Sequence, residues 1–327
     1  MLLPLHILAT GIGVAHDTVT SLQLDEQLKL SPGATEKRSG VQTRQFARPG
    51  ELQSDLAAEA VRHALARAGL KWNDIDLLIS ASGVPEQALP STGAAVVRQL
   101  QSTRGTPAID VGASCLSFMA ALQVASGLLA AGAYRRIAVV ASDLPSRGVD
   151  WSSHEASMIF GDGAAAAIVE KGDGTRGFRS FGLETYPEGF DHCAVRAGGT
   201  RRNPRVGVTP QDYLFRMDGK AVFKLASNVV PRLLAETLQA GESSLEDIDV
   251  VVPHQASNLG MAHLFKRLAL PVEKVVNIYA THGNQVSASM PTALHFAYEQ
   301  GLADNGKRAL LLGTAAGFTA GAAVLDL

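Results

Sequence analysis

Short apolar segments typical of strands alternate with helical segments along the whole chain. Residues 75–80, 136–142 and 164–170 are apolar runs of strand length. Residues 55–68 carry apolar side chains at helical spacing, and Gly69 suits the C-cap of that helix. Strands and helices that alternate in this way pack as a parallel or mixed sheet with helices on its faces. The sequence therefore predicts an α/β fold.

The order of these segments recurs in the second part of the chain. Asp76 precedes Arg136 by 60 residues, and Asp249 precedes Arg308 by 59. The segments around these four residues are also similar in composition. Near-equal intervals between similar segments indicate a duplicated βα unit. We therefore expect two similar halves, each too small to cover both faces of its own sheet.

The composition excludes several classes of protein. With 46% hydrophobic and 18% charged residues among 327, the chain can bury a substantial core and is not of a disordered type. A net charge of −2 gives no reason to expect nucleic acid or an anionic membrane as a partner. Two cysteines are compatible with a reducing compartment. Since no run of 18 apolar residues suggests a membrane span, we expect a cytoplasmic protein.

The apolar N-terminus has some features of a signal sequence. It lacks a basic first region, and Pro4, Gly11 and Gly13 interrupt it. We interpret residues 6–14 as a buried first strand instead.

Cys115 lies where an apolar strand pattern runs through small residues into a helix predicted over residues 114–131. That helix is apolar nearly all round, which predicts a buried central helix. A thiol at a helix N-terminus is favoured as the nucleophilic thiolate, because the helix dipole and unpaired N–H groups stabilise the charge. The plainer interpretation of Cys115 is a small buried hydrophobe.

Two distant segments strengthen the nucleophile hypothesis. His254 follows a β-branched strand pattern and Pro253, and Asn284 lies in a turn rich in Gly and Ser before another apolar helix. Taken singly, each is more often a structural residue. Together with Cys115 they form a Cys, His and Asn set in which each residue is placed at a strand-to-helix turn.

At these positions the chain resembles the β-ketoacyl-acyl-carrier-protein synthase III enzymes, which are thiolase-like condensing enzymes. The resemblance covers nearly the whole chain. The motifs that carry it are Ala113-Ser-Cys115, Phe160-Gly-Asp-Gly-Ala164, Pro253-His-Gln-Ala256, His282-Gly-Asn284 with Ser287-Ala-Ser289, and Gly317-Phe-Thr319.

The resemblance implies a thiolase-like, five-layer αβαβα fold built from two duplicated halves. Residues 1–171 would carry Cys115, and residues 172–327 would carry His254 and Asn284. It implies decarboxylative Claisen condensation of an acyl group on Cys115 with a malonyl thioester, in fatty-acid or related secondary-metabolite biosynthesis.

The chemistry suits these residue types. A cysteine thioester holds the acyl group as an electrophile, while His254 and Asn284 can donate to an enolate oxygen. The family pattern places the oxyanion hole at the backbone N–H groups of Cys115 and Ala316. We expect no metal and no organic cofactor. Where the family usually has three glycines, this chain has Ala315, Ala316 and Gly317, so the turn shifts if either alanine needs a positive φ.

The family pattern also assigns substrate-binding positions, and this chain departs from it at several of them. The two residues that usually stack on the CoA adenine, a Trp and an Arg, correspond to Ala34 and His154. We therefore expect weaker binding of free CoA, or a donor bound to acyl carrier protein. Arg38 and Phe223 are carried over as substrate-binding residues, although an ordinary amphipathic helix explains Phe223 equally well.

Leu89 replaces the Phe that meets short primers in the pocket of the partner subunit in the best-studied relatives. A smaller side chain predicts an acyl group longer than acetyl. The resemblance implies a homodimer that acts on acyl-CoA or acyl-carrier-protein thioesters. Lys266 and Arg267 match basic positions for docking of the carrier, although a third such position is Leu259. Arg196 to Arg205 form a basic, Gly-rich segment that we interpret as a solvated surface loop.

Three other functions stay open from the sequence alone. Cys115 could pass its acyl group to an amine or hydroxyl of a secondary metabolite without condensation. The order Cys, His, Asn also occurs in papain-like proteases, but their local cysteine signature is absent here and the α/β pattern does not fit. A non-catalytic subunit that only binds acyl groups would not need all three residues.

Overall fold

The computed structural model describes residues 2–327. The strands are β1 (Leu3–Pro4), β2 (His6–Gly13), β3 (Asp17–Thr20), β4 (Thr43–Phe46), β5 (Leu77–Ser80), β6 (Ala108–Asp110), β7 (Arg136–Asp143), β8 (Gly163–Glu170), β9 (Gly177–Thr185), β10 (Cys193–Ala194), β11 (Arg216–Met217), β12 (Val250–Pro253), β13 (Arg308–Ala315) and β14 (Thr319–Asp326).

The helices are α1 (Ser21–Leu28), α2 (Ala34–Ser39), α3 (Gln53–Ala68), α4 (Thr92–Gln99), α5 (Ser117–Ala130), α6 (His154–Ser157), α7 (Gly219–Ala240), α8 (Asn258–Arg267), α9 (Tyr279–His282) and α10 (Ser289–Glu299). Among the described residues, no helix combines the length and the apolar character needed to cross a membrane.

Two five-stranded mixed sheets form the framework. Their strand orders are β2-β8-β7-β5-β6 and β1-β9-β14-β13-β12. In the first sheet β5 pairs in parallel with both β6 and β7, and in the second β12 pairs in parallel with β13. The remaining pairs in both sheets are antiparallel. The prediction of a mixed α/β sheet structure is therefore confirmed.

Helices cover both sheets and also lie between them. The helix α3 packs outside the first sheet and α7 outside the second, while α5 and α10 lie between the sheets. Three apolar clusters fill the spaces between these layers, and the middle one contains most of the buried side chains of α5 and α10. The expected five-layer αβαβα arrangement is confirmed.

The duplication seen in the sequence has a physical counterpart at the start of the parallel strands. The carboxylate of Asp76 accepts the backbone N–H of Arg136 at 2.9 Å, and that of Asp249 accepts the N–H of Arg308 at 2.8 Å. The backbone N–H of each aspartate donates in return to the carbonyl of the same arginine, at 2.9 Å in both halves. The recurring Asp and Arg thus align equivalent strand pairs in the two halves.

The two central helices begin in the same way. The short 3₁₀ turn Ser114–Leu116 leads into α5, and the short 3₁₀ turn Val286–Ala288 leads into α10. The first residue of each turn has a positive φ, 50° at Ser114 and 54° at Val286, which is costly for a residue with a side chain. The two turns contact each other at the centre of the molecule. Cys115 and Ser287 therefore occupy equivalent positions in the two halves.

Most predicted elements are present, with small shifts at their ends. The strand predicted over residues 6–14 is β2, which ends at Gly13, and the strand predicted over residues 75–80 begins at Leu77. Gly69 is the C-cap of α3, with φ 65°. The predicted central helix is buried against both sheets, although Val124 on its outer side is 39% exposed.

Gly11 and Gly13, which interrupt the apolar N-terminus, allow α3 to lie directly on β2. A Cβ atom at Gly11 would lie 2.3 Å from the backbone nitrogen of Ala64, and one at Gly13 would lie 2.0 Å from the carbonyl oxygen of Leu56. Both neighbours are backbone atoms, so a rotamer change cannot relieve the overlap. The contact between helix and sheet therefore requires glycine at both positions.

We predict that Gly11→Ala lowers the free energy of unfolding by about 3 kcal/mol, because the new methyl group separates α3 from β2. Gly127→Ala, in α5, is the matched control because a Cβ atom there meets no atom within 4 Å. It should raise the free energy of unfolding by about 0.5–1 kcal/mol. Urea denaturation of both variants measures this difference. Equal stability of the two variants would contradict the close helix–sheet contact.

Candidate active site

The turns Ser114–Leu116 and Val286–Ala288, which lead into α5 and α10, are termed the helix-start turns. One large cavity, of about 1530 Å³, runs from the surface to the place where these two turns meet. Its inner end is lined by Cys115, His254 and Asn284. His254 and Asn284 are only 5% and 6% exposed. The structure thus brings together three residues that are far apart in the sequence, with Cys115 at the start of α5 and the other two from the second half of the chain.

Burial dominates the electrostatics of Cys115. It raises the pKa of the thiol to about 12, and the backbone N–H groups of Ala316 and Cys115 offset this only in part. The negative charge of Asp143 raises the pKa further. Burial therefore opposes the thiolate expected at the helix N-terminus, because removal of the thiol from water outweighs the helix dipole. The thiol must lose its proton as it reacts.

The turn between β13 and β14 brings the backbone N–H of Ala316 to the sulfur of Cys115. Positive φ values in this turn occur at Gly317 (76°) and Phe318 (37°), and not at the two alanines that replace the usual glycines. The backbone carbonyl of Phe318 accepts a hydrogen bond from the N–H of Tyr186 at 2.9 Å, which holds this residue in place. The alanines therefore leave the direction of the Ala316 N–H compatible with an oxyanion hole.

A backbone hydrogen bond holds His254 in place, and the ring nitrogen Nδ1 is not engaged by the described residues. Its N–H donates to the carbonyl of Leu312 at 2.8 Å, and a Cβ atom at Gly313 would lie 2.7 Å from the Cβ of His254. Nδ1 is buried and has no hydrogen-bond partner among the described residues. Burial lowers the pKa of the imidazole to about 4, so the ring is neutral near pH 7. A neutral imidazole can present one N–H to the cavity through Nε2.

Asn284 is oriented by bonds at both ends of its amide. Its Oδ1 accepts the backbone N–H of Val286 at 2.8 Å, and its Nδ2 donates to the carbonyl of Ala256 at 3.2 Å. The second hydrogen of Nδ2 remains available. Because Ala256 is two residues after His254, this bond also joins the two turns. The arrangement provides two neutral donors beside one thiol.

Sequence reasoning missed Asp143, which lies at the end of β7 and lines the same cavity. Its carboxylate accepts the backbone N–H groups of Gly83, Val84 and Ser287 at 2.9–3.1 Å, as well as the hydroxyl of Ser287. Burial raises its pKa to about 6. Asp143 therefore ties the first half to the turn that follows Asn284.

Gln255 is a second residue without an assigned role in the sequence. Its fully buried amide donates to the carbonyls of Pro253 and Val276 at 3.0 and 3.1 Å and accepts the N–H of Ile278 at 3.2 Å. These bonds fix the turn that carries His254. Cys193 was left without a role, and the structure places it in the cavity wall.

The other predicted site residues lie at different distances from this centre. Arg38 and Phe223 line the cavity, and the ring of Phe223 contacts that of His263 at 5.7 Å between centroids. His154, at the start of α6, is exposed and does not line the cavity. Leu89 is 86% exposed and also lies outside it.

Lys266 and Arg267 form the exposed last turn of α8 and do not line the cavity. Earlier residues of the same helix do line it, among them His263. The two cations thus lie on the outer surface near the cavity, with no ion pair to any carboxylate that the structure describes.

A cysteine at the start of a central helix, facing a histidine and an asparagine from the duplicated half, is the arrangement of thiolase-like condensing enzymes. The family model for 3-oxoacyl-[acyl-carrier-protein] synthase III matches residues 109–187, and the model for the C-terminal part of that family matches residues 238–327. The chain belongs to the 3-oxoacyl-[acyl-carrier-protein] synthase III family and is a condensing acyltransferase.

Similar proteins cover almost the full length. The chain is 35% identical to β-ketoacyl-[acyl-carrier-protein] synthase III of Thiobacillus denitrificans and 33% identical to that of Neisseria gonorrhoeae, in each case over 98% of both chains. The solved structure of the Thermus thermophilus enzyme is 32% identical, covers 98% of both chains and superposes with a TM-score of 0.89.

We predict that Asp143→Asn speeds alkylation of Cys115 by iodoacetamide at pH 8 by at least about threefold, because removal of a nearby negative charge favours the thiolate. Asp162→Asn is the matched control, since Asp162 is also buried but does not line the cavity. Mass spectrometry of the alkylated protein measures both rates. Equal acceleration in the two variants would contradict a direct effect of the Asp143 charge on the thiol.

Proposed function

We propose that Cys115 accepts an acyl group from a thioester and condenses it with a malonyl thioester to give a β-ketoacyl thioester. The observation that supports this most directly is the meeting of one thiol and two neutral donors, His254 and Asn284, at the inner end of a single cavity. The assignment of roles to these residues is our proposal.

In the acylation step the sulfur of Cys115 attacks the thioester carbonyl and the proton of the thiol passes to the leaving thiol. The developing oxyanion faces the backbone N–H groups of Cys115 and Ala316. Donors of this kind are worth about 3 kcal/mol each in barrier reduction. Because the pKa of the free thiol is raised to about 12, transfer of its proton accompanies attack rather than preceding it.

In the second step the malonyl thioester loses CO₂, and its carbon–carbon bonding electrons form an enolate. The enolate oxygen accepts hydrogen bonds from Nε2–H of His254 and from Nδ2–H of Asn284. A lowered imidazole pKa of about 4 suits this role, since the ring stays neutral and keeps one donor near pH 7.

In the third step the enolate carbon attacks the carbonyl of the acyl group on Cys115. A carbon–carbon bond forms, the carbon–sulfur bond to Cys115 breaks, and the resulting thiolate takes up a proton from solvent. The product is a β-ketoacyl thioester. The negative charge returns to a sulfur that contacts the N–H of Ala316, the same donor that served the acylation step.

We predict that wild-type protein mixed with acyl-CoA gains the mass of one acyl group, whereas Cys115→Ser gains none. His254→Ala and Asn284→Ala should still be acylated, because their N–H groups serve the malonyl thioester. Condensation in these two variants should fall about a hundredfold each, the loss expected for one oxyanion donor. Intact-protein mass spectrometry measures acylation, and product analysis with a malonyl thioester measures condensation.

Cys193→Ser is a suitable control, since Cys193 also lines the cavity and has no place in these steps. Transfer of the Cys115 acyl group to an amine or hydroxyl, with no β-ketoacyl product from any malonyl thioester, would contradict condensation. Absence of acylation with both CoA-bound and carrier-bound donors would contradict the role of Cys115.

We further propose a homodimer in which Leu89 reaches the acyl cavity of the partner copy. Support comes from β6, which among the described strands pairs with β5 alone and lies at the sheet edge, and from Ile109 in that strand, which is 40% exposed. An edge strand with an exposed apolar residue suits pairing with a second copy. Leu89 is the most exposed of the large apolar residues that the structure describes, at 86%.

We predict that Leu89→Phe shortens the longest acyl chain that Cys115 accepts, because a larger ring from the partner copy would fill the pocket. Val272→Phe, at a residue 73% exposed elsewhere on the surface, is the matched control and should leave chain length unchanged. Acylation with acyl-CoAs of two to about twelve carbons, together with light scattering, checks both parts. A monomer with an unaltered chain-length profile would contradict the proposal.

The remaining assignments of substrate contacts are also proposals. Arg38 and Phe223 would contact the donor in the cavity, and His154 would lie near the part of a nucleotide that extends outside it. Lys266 and Arg267 would dock an acidic carrier protein. The division into residues 1–171 and 172–327 would separate the half with Cys115 from the half with His254 and Asn284.

A further inference from the structure

The turn that follows Asn284 contains a residue in an unfavourable backbone conformation. Val286 has a φ of 54°, and among the described residues of positive φ other than glycine it is the only β-branched one. A β-branched side chain crowds its own backbone in this left-handed region. Ser114, at the equivalent position in the first half, adopts a similar φ of 50° with a smaller side chain. Such a conformation persists only where the surrounding structure holds it, so the contacts of Val286 need an explanation.

The side chain of Val286 lies against Gly83, which belongs to the first half of the chain. A Cβ atom at Gly83 would lie 2.5 Å from Cγ1 of Val286, and 3.3 and 3.4 Å from the two carboxylate oxygens of Asp143. Gly83 and Val286 both line the cavity. Val286 therefore occupies the space that a side chain at position 83 would need.

Asp143 prevents these two residues from moving apart. Its carboxylate accepts the backbone N–H of Gly83 at 3.0 Å and that of Ser287, the residue after Val286, at 3.1 Å. The carboxylate is only 2% exposed, so water does not compete freely for these bonds. The hydrogen bonds thus hold the two backbones together, and the contact of Val286 with Gly83 sets how closely they approach.

The backbone of Asn284 is fixed without Val286, but the direction of its amide is not. The N–H of Asn284 donates to the carbonyl of Ile159 at 2.7 Å, and its carbonyl accepts the N–H of Gly161 at 3.2 Å. The side-chain Oδ1, by contrast, accepts the N–H of Val286 at 2.8 Å. A shift of Val286 would therefore turn the amide of Asn284 while leaving its backbone in place.

We propose that Val286 is a positioning residue for condensation, because its contact with Gly83 holds the turn that directs Nδ2–H of Asn284 at the enolate oxygen. This inference rests on the proposed function, since it supposes that Asn284 serves the malonyl thioester. Val286 itself forms no bond to the reacting atoms. A misplacement of about 1 Å can reduce a rate about a hundredfold, so a small relaxation of this turn is enough.

The first test compares two rates in Val286→Ala, which removes Cγ1 and Cγ2 and keeps the backbone N–H. Acylation of Cys115 by acyl-CoA should stay within about twofold of wild type, because that step uses the N–H groups of Cys115 and Ala316. Single-turnover condensation of the preformed acyl-enzyme with a malonyl thioester should fall at least about tenfold. Intact-protein mass spectrometry measures the first rate, and product analysis after rapid quenching measures the second.

Val275→Ala is the matched control. Val275 is also partly buried and packs against the same apolar cluster around α7 as Val286, but it lies outside the cavity lining. Both rates should stay at the wild-type level in this variant. Equal losses of condensation in the two variants would overturn the proposal. An equal loss of acylation and condensation in Val286→Ala would also overturn it, because that result describes a general structural role.

The second test uses the space between the two residues. Gly83→Ala should slow condensation at least about tenfold and lower the urea midpoint of unfolding, because its methyl group displaces Val286. Adding Val286→Ala to Gly83→Ala should restore the midpoint and bring condensation to within about threefold of wild type, since the methyl group then fills the space that Cγ1 occupied. A double variant that condenses no faster than Gly83→Ala would overturn the contact as the cause.

The two proposals fail in different ways. If the wild-type acyl-enzyme condenses and Val286→Ala condenses equally fast, the proposed function stands and the role of Val286 is overturned. If the wild-type acyl-enzyme gives no β-ketoacyl product, both are overturned.

Discussion

The contact between the two helix-start turns is the constraint on which the rest of the structure depends. Each turn begins with a residue at positive φ, Ser114 in one half and Val286 in the other. The strained backbone at these two residues persists because α5 and α10 are buried between the sheets, and their packing fixes the turns that precede them. The thiol of Cys115 therefore meets residues of the second half at a fixed place.

Asp143 places a buried carboxylate beside this meeting point. A buried carboxylate is costly unless several donors satisfy it. Here the donors come from Gly83 and Val84 in one half and from Ser287 in the other. The same charge raises the pKa of Cys115. Burial and this charge thus favour the protonated thiol, and the hydrogen bonds of Asp143 connect the two halves.

The cavity combines two environments along its length. At the inner end, burial keeps His254 neutral and Cys115 protonated, so reacting groups meet neutral donors in a place with little water. At the outer end, Arg38, Arg201 and Lys220 are exposed and positively charged.

The sequence by itself determined the layers and the three central residues. Helical spacing predicted α3 with its Gly69 cap, because that signal depends on neighbours in the chain. The recurring Asp and Arg residues indicated the duplication, because they recur at near-equal intervals. The family resemblance of the motifs implied that Cys115, His254 and Asn284 form one site. Only the tertiary structure decided the direction of the Cys115 pKa, the bonds of Asp143 and the position of Arg201 at the cavity. These depend on burial and on groups from distant segments, which no local pattern records.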